Sequence, residues 1–336
     1  MIEGLTPAQT GALTVINQCA SALSFVGTFF IVMCYVLFKD LRSFAFKLVF
    51  YLSLSDMLAS LFNMLGNPGE GFLCYAQGYS SQFFSIASFL WTTTISFTLH
   101  RAAVKHKTDG EGFGAIFHVY VWGTSLMMTI IPLIGNDYGP AGAWCWVQSE
   151  TAAGKVLRFM TFYLPLWGAI LFNGIAYFQV IRVINNATSM ATELSDRQLQ
   201  VQTRVDMKAL NRYGYYPLIL IGSFTFGTIN RIYGFVEQHH PLFWLYCLDI
   251  ASASLMGFFN SIAYGYNSSV RRVLQEKLDL IWPEKYRWWT SGFTRLDNSE
   301  TTKRRETDTP RKYKRKTASH YLYTDPRYAT DLADIL

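Results

Sequence analysis

Long apolar runs alternate with short polar segments along most of this chain. Seven of the runs, at 15–38, 44–66, 72–104, 114–135, 155–184, 208–237 and 242–267, reach the roughly 20 residues that a helix needs to cross a hydrocarbon core of about 30 Å. The pattern predicts an all-α membrane protein, a seven-transmembrane helix bundle over 15–267 behind a short extracellular segment, 1–14. Past the seventh run, Val270, Val273, Leu274 and Leu278 recur at helical spacing, with Arg271, Arg272 and Lys277 between them. That spacing predicts a short amphipathic helix over 268–282 lying in the interface. Trp282, Trp288 and Trp289 follow as interfacial anchors, and 283–336 read as a disordered, basic cytoplasmic tail.

Composition agrees: only 15% of residues are charged, against about 25% in soluble domains. Cations sort the loops. One side holds Lys39, Arg42, Lys47, Arg101, Lys105, Lys107, Arg182, Arg197, Arg204, Lys208 and Arg212, and the other holds Lys155, Arg158 and Arg231. Cationic loops stay cytoplasmic, so the N-terminus is expected outside and the C-terminus inside. The first fourteen residues carry no Lys or Arg, so the first span is expected to act as an uncleaved signal. Residues 268–336 carry fifteen Lys and Arg against ten Asp and Glu, which places most of the excess charge in the tail. Its run Lys303, Arg304, Arg305, Arg311, Lys312, Lys314, Arg315 and Lys316 fits anionic lipid and not nucleic acid.

Cys19, Cys34 and Cys247 fall inside spans, where a thiol is a small apolar filler. Cys74 and Cys145 fall on the outer side, where a disulfide persists. They are expected to be bonded and to pin the second outer loop over the bundle.

Polar residues inside the spans come next, because a charge at mid-bilayer costs about 2.5–3.5 kcal/mol on insertion scales. Ser53, Asp56, Ser60 and Asn63 share one face of the second span, and Ser85, Ser88, Thr92 and Ser96 one face of the third. Such stripes serve interhelical hydrogen bonding in most bundles. Asp56 asks for more, an ion, a proton or several donors, and with Asn260 it forms a candidate polar switch. Arg231 and Asp249 flank the turn at His239-His240-Pro241 and are expected at similar depth. They form an ion pair, either a structural latch or, with Arg158 nearby, the floor of a site for an anionic ligand. Pro132, Pro165 and Pro217 lie within spans and are expected to kink them, Pro217 serving as a hinge. Gly222, Gly227 and Gly257 admit close helix packing.

Several classes fall away. No lysine occurs between Lys208 and Lys277, so the last span has no anchor for a retinal Schiff base. The histidines lie at both ends of the bundle, which leaves no cluster for a zinc hydrolase. No enzyme site, metal site or cofactor is expected. An ion- or proton-coupled transporter using Asp56 and Asp249 is the alternative, but no internal repeat of the transporter kind is found. The inner segment 185–207, with Glu193, Asp196, Arg197 and Arg204, looks instead like a surface for a cytoplasmic partner.

Longer segments carry a family likeness. They are Phe46-Lys47-Leu48-Val49-Phe50-Tyr51-Leu52-Ser53-Leu54-Ser55-Asp56-Met57-Leu58, Cys74-Tyr75-Ala76-Gln77-Gly78-Tyr79, Phe89-Leu90-Trp91-Thr92-Thr93-Thr94 and Val104-Lys105-His106-Lys107-Thr108-Asp109. Leu210-Asn211-Arg212-Tyr213-Gly214-Tyr215-Tyr216-Pro217-Leu218-Ile219-Leu220 and Phe259-Asn260-Ser261-Ile262-Ala263-Tyr264-Gly265-Tyr266-Asn267-Ser268-Ser269-Val270-Arg271-Arg272 extend the likeness. Over about 15–285 the chain resembles the cAMP receptor-like seven-helix G-protein-coupled receptors, plant branch. The resemblance implies a plasma-membrane receptor for an extracellular ligand, coupled to a heterotrimeric G-protein α subunit and, in plants, to hormone and germination signalling. Coupling would fall to Arg101, Lys105, Lys208, Arg212, Arg271 and Arg272. Leu99-His100-Arg101-Ala102 departs from the Asp-Arg-Tyr of rhodopsin-like receptors, so Arg101 matches their coupling arginine only loosely. The family's name does not make cAMP the ligand here.

Overall fold

The computed structural model describes residues 5–105, 111–148, 151–193, 214–236, 241–265 and 267–281. Helix α1 runs Pro7–Leu37, starting well before the apolar run does. Thr6 explains this start: its hydroxyl accepts from the Gln9 N–H, Gln9 Oε1 accepts from the Thr6 N–H, and Pro7 opens the first turn. This reciprocal cap satisfies amides that a helix start leaves unpaired.

Helices α2 (Phe44–Asn63) and α3 (Phe72–Lys105) follow. Helix α4 runs Gly114–His118, passes a π turn at Val119–Gly123 and continues over Thr124–Ile134. A short antiparallel hairpin pairs β1 (Tyr138–Pro140) with β2 (Cys145–Val147), Gly139 lying opposite Trp146. Helix α5 runs Ala152–Arg158, through a second π turn at Phe159–Tyr163, to Leu164–Glu193. Helix α6 is Tyr215–Val236, α7 has two halves, Phe243–Ser254 and Met256–Gly265, and α8 is Ser268–Ile281.

Helix α3 is the axis of the bundle. Helix α2 packs between it and α1, α5 covers its other flank, and α7 packs on both α1 and α6. Among the described residues, α1, α2, α4 and α5 are long and apolar enough to cross a membrane, and the bent pair α7 makes a fifth. Helix α3 is less apolar, since it carries Gln77, Gln82, Ser88, Thr92 and Ser96, and all five are buried inside the bundle. Outward, Val26, Val119, Leu171 and Phe178 are exposed, the reversal of burial expected where lipid replaces water.

Two breaks shape the bundle. Pro165 has no N–H to donate to the Thr161 carbonyl four residues back, and Gln82 Nε2 of α3 reaches that carbonyl at 3.4 Å. The π turn just before the proline is therefore stitched to the axis helix. The halves of α7 meet at 45° around Leu255, and Gly257 follows. A Cβ there would sit 2.8 Å from Thr28 Cγ2 and 3.1 Å from Asp56 Cβ, and would also strike Ser24 Oγ. We expect Gly257→Ala to cost about 1–3 kcal/mol through overpacking, read as a lower thermal midpoint in detergent. An unchanged midpoint would show that α1 and α2 yield freely.

Candidate ligand cavity and polar core

The hairpin lies over one end of the bundle and is held there by several different bonds. Cys145 is disulfide-bonded to Cys74 at the start of α3, with Cα atoms 5.2 Å apart. Gln77, one turn further on, accepts from the Cys145 N–H at 2.8 Å and donates to the carbonyls of Gly66 (2.8 Å) and Phe62 (3.1 Å). Gln82 Oε1 accepts from the Trp146 indole at 2.6 Å. The Tyr138 hydroxyl donates to the Thr129 carbonyl at 3.0 Å, and burial, aided by Tyr79, pushes that phenol's pKa above its ordinary value. Arg158 closes the set: Nε donates to the Val147 carbonyl at 2.8 Å, Nη2 donates to the same oxygen, and the guanidinium lies 4.6 Å from the Trp146 ring.

Under this lid is a cavity of about 150 Å³. Trp144 and Trp146 roof it, Phe162 and Tyr163 of α5 and Phe224 of α6 form apolar wall, and Asp56 lies at its base. Arg231 of α6 meets Asp249 of α7 at 3.4 Å, with the guanidinium 5.3 Å from the Tyr163 ring. Asn230 Nδ2 donates to the same carboxylate oxygen at 2.9 Å. Arg231 and Asp249 thus share one wall of the cavity, while Arg158 is engaged by the hairpin and is absent from the lining.

The base of the cavity is a hydrogen-bonded junction of three helices. The Ser88 hydroxyl of α3 donates to Asp56 Oδ1 at 2.5 Å, and Asn260 Nδ2 of α7 donates to Oδ2 at 2.8 Å. Asp56 is buried and has a donor on each oxygen, which is how a carboxylate survives in a low-dielectric interior. Above it Ser81 donates to Asn63 at 2.8 Å, and Ser254, beside the α7 break, donates to Asn17 of α1 at 2.8 Å. Ser60 lines the cavity as well. Ser96 points the other way, donating to Asn173 of α5, whose amide reaches Thr93.

At the opposite end, the Arg101 guanidinium stacks 4.3 Å over Phe113, a cation–π contact that fixes it beside the α3–α4 connection. Arg271 and Arg272 are exposed on α8, whose Val270 and Val273 are buried against the bundle. Lys105 ends α3, and Lys208 and Arg212 lie outside the described residues, as does the basic run 303–316. Pro217 is the third residue of α6 as described, where a helix leaves its amides unpaired in any case. The start of the expected span, 208–213, lies outside the described residues.

The sequence reading gave no role to Gln77, Gln82, Trp144, Trp146, Asn17 or Asn173. One signal was available: an amide side chain within a span must find a partner, and Gln77 and Gln82 stand five residues apart on the helix that carries Cys74.

Residues 6–315 match the family described as slime mold cyclic AMP receptor. The chain belongs to the cyclic AMP receptor family. A relative from Arabidopsis thaliana, G-protein coupled receptor 1, is 60% identical over 291 residues, covering 86% of this chain and 89% of that one. Cyclic AMP receptor-like protein A of Dictyostelium discoideum is 30% identical over 259 residues, covering 77% of this receptor and 65% of that protein. The fold of this receptor is that of squid rhodopsin, with a TM-score of 0.66 at 17% identity, covering 85% of this chain and 91% of the rhodopsin. It is a multi-pass membrane protein of the G-protein-coupled receptor type.

Proposed function

We propose that this protein is a plasma-membrane receptor, with its hairpin end outside and α8 inside, that binds an extracellular ligand and signals to a heterotrimeric G-protein α subunit. As in the Arabidopsis relative's name, the partner is a G protein. Hormone and germination signalling in plants is the setting the sequence likeness implies, and no enzymatic step is assigned to the chain. One observation carries the reading: the cavity under the lid extends to Asp56, the residue that ties α2, α3 and α7 together.

A ligand shifts a two-state bundle only by binding one packing better than the other. Contact with the Arg231–Asp249 wall would bias the α6–α7 interface, and the Asp56 junction would carry the change to α3. The far end of α6, at Pro217, then swings away from Arg101. The partner enters among Arg101, Lys105, Lys208, Arg212, Arg271 and Arg272, and the basic tail holds anionic lipid. The test is nucleotide exchange on a purified Gα subunit with the receptor reconstituted in nanodiscs. Ligand-accelerated exchange supports the reading.

Because Asp56 and Asp249 line the same cavity, an ion- or proton-coupled transporter is the second reading. Ligand-driven flux in proteoliposomes, with no exchange on Gα, would establish it instead.

A further inference from the structure

We propose that the cavity takes a small zwitterion of the amino-acid class, its carboxylate on Arg231, its ammonium on Asp249 and its side chain against the aromatic wall. This deepens the receptor reading and rests on it for the site's role.

Charge is the first support. The cavity is lined by one guanidinium and two carboxylates, and one of the carboxylates, Asp56, already accepts from Ser88 and Asn260. Arg158, which a phosphate or other strong anion would need as a second cation, is engaged by the Val147 carbonyl and the Trp146 ring. An anion on Arg231 alone would face Asp249, and a cation on Asp249 alone would face Arg231. A ligand carrying both charges repels neither.

Geometry is the second. Arg231 and Asp249 meet through a single contact of 3.4 Å, longer than the about 2.7–2.9 Å of a charge-assisted hydrogen bond. On the other side, Asp249 Oδ1 faces Gly227, where a Cβ would lie 2.6 Å away. Both side chains line the cavity and keep accessible surface, 34% for Arg231 and 14% for Asp249, so each presents part of its charged group to a ligand, donors on one and acceptors on the other.

Size is the third. At about 30 Å³ for each water-sized group, a cavity of about 150 Å³ holds roughly five or six non-hydrogen atoms, the size of the benzene that a cavity of that volume takes. A small amino acid is of that size, whereas a nucleotide requires the lid to open. Trp146, Phe162 and Tyr163 favour a small apolar side chain.

The experiment uses the full chain in nanodiscs and reads binding by calorimetry, with no G protein present. L-Alanine is the first probe, followed by the other standard amino acids. Ethylamine, which lacks the carboxylate, and propanoate, which lacks the ammonium, are the controls. We expect an amino acid to bind, and each one-charge analogue of it to bind at least about tenfold more weakly, the factor of a ~1.4 kcal/mol loss. Arg231→Gln and Asp249→Asn should each weaken the amino acid by a similar factor. If either variant fails to fold, Gly227→Ala, which displaces Asp249 Oδ1 and removes no charge, must do the same with the thermal midpoint retained.

Equal binding of a one-charge analogue, or no binding by any amino acid, overturns the proposal. So does an affinity untouched by these substitutions. Amino-acid binding without any effect on Gα exchange would leave the site standing and remove the receptor role. Exchange driven by a different ligand, with no amino acid bound, would do the reverse.

Discussion

Replacing Cys74 and Cys145 together by serine is expected to lower the stability of the folded receptor by about 4 kcal/mol. The bond closes a loop of 71 residues, and the chain-entropy estimate rises from about 3 kcal/mol for a 15-residue loop to about 4.7 for a 100-residue one. For a domain of this size each kcal/mol moves the midpoint by roughly 2–4 °C, so a fall of about 8–16 °C in Tm is expected. Tryptophan fluorescence during heating would report it directly, since Trp144 and Trp146 sit in the lid. The double substitution leaves neither partner of the bond behind as an unpaired thiol. The Gln77, Gln82 and Arg158 contacts remain in the variant, which makes the result informative either way. A fall of less than about 2 °C, worth under ~1 kcal/mol, would mean that those contacts alone hold the hairpin down.

Asp56→Asn is the second large effect. The substitution keeps the shape and replaces one acceptor oxygen by an NH2 group, which cannot accept from both the Ser88 hydroxyl and the Asn260 amide. A buried donor left without an acceptor costs about 1–3 kcal/mol, although polar pairs inside a membrane bundle average nearer 0.6 and reach about 1.7. We expect a loss of about 1–2 kcal/mol in stability and a larger proportional loss in Gα exchange, because α2, α3 and α7 meet at this residue. The exchanged pair, Asp56→Asn with Asn260→Asp, restores a carboxylate facing an amide. It should recover part of both readouts, giving a coupling energy of at least about 0.5 kcal/mol in a double-mutant cycle. If the double variant is no better than the sum of the single ones, the Asp56–Asn260 contact is not the link.

Much of this was visible in residue order. Seven apolar runs announce a seven-helix bundle because helices are the simplest way to satisfy backbone groups in lipid. Cys74 and Cys145 stand out by compartment, and Asp56 by the cost of its charge. The start of α1 was also available in Thr6-Pro7-Ala8-Gln9, but hydropathy does not read capping, so the apolar run alone began the span at residue 15. The amphipathic stretch of α8 follows the spacing of Val270 and Val273, which the structure buries while leaving Arg271 and Arg272 exposed.

Arg158 shows where residue order stopped being informative. By position it stands with Arg231 as a cation at the hairpin end, and the two together suggest an anion site. In the fold, a carbonyl eleven residues earlier and the ring of Trp146 capture Arg158, so Arg231 and Asp249 face the cavity without it. Gln82 and Asn173 likewise find partners 64 to 80 residues away, a distance over which no local period carries information.

What the amino-acid order determined by itself is where the chain must be helical, which residues are too polar to face lipid, and which thiols can oxidise. These follow from transfer free energies and from periodicity, and both act within one helix. Tertiary structure alone decided which polar group answers which: Asp56 with Ser88 and Asn260, Arg158 with the hairpin, and Arg231 with Asp249 beside an open cavity. Hydrogen bonds and ion pairs are short-ranged and directional, so their partners are set only when the helices meet.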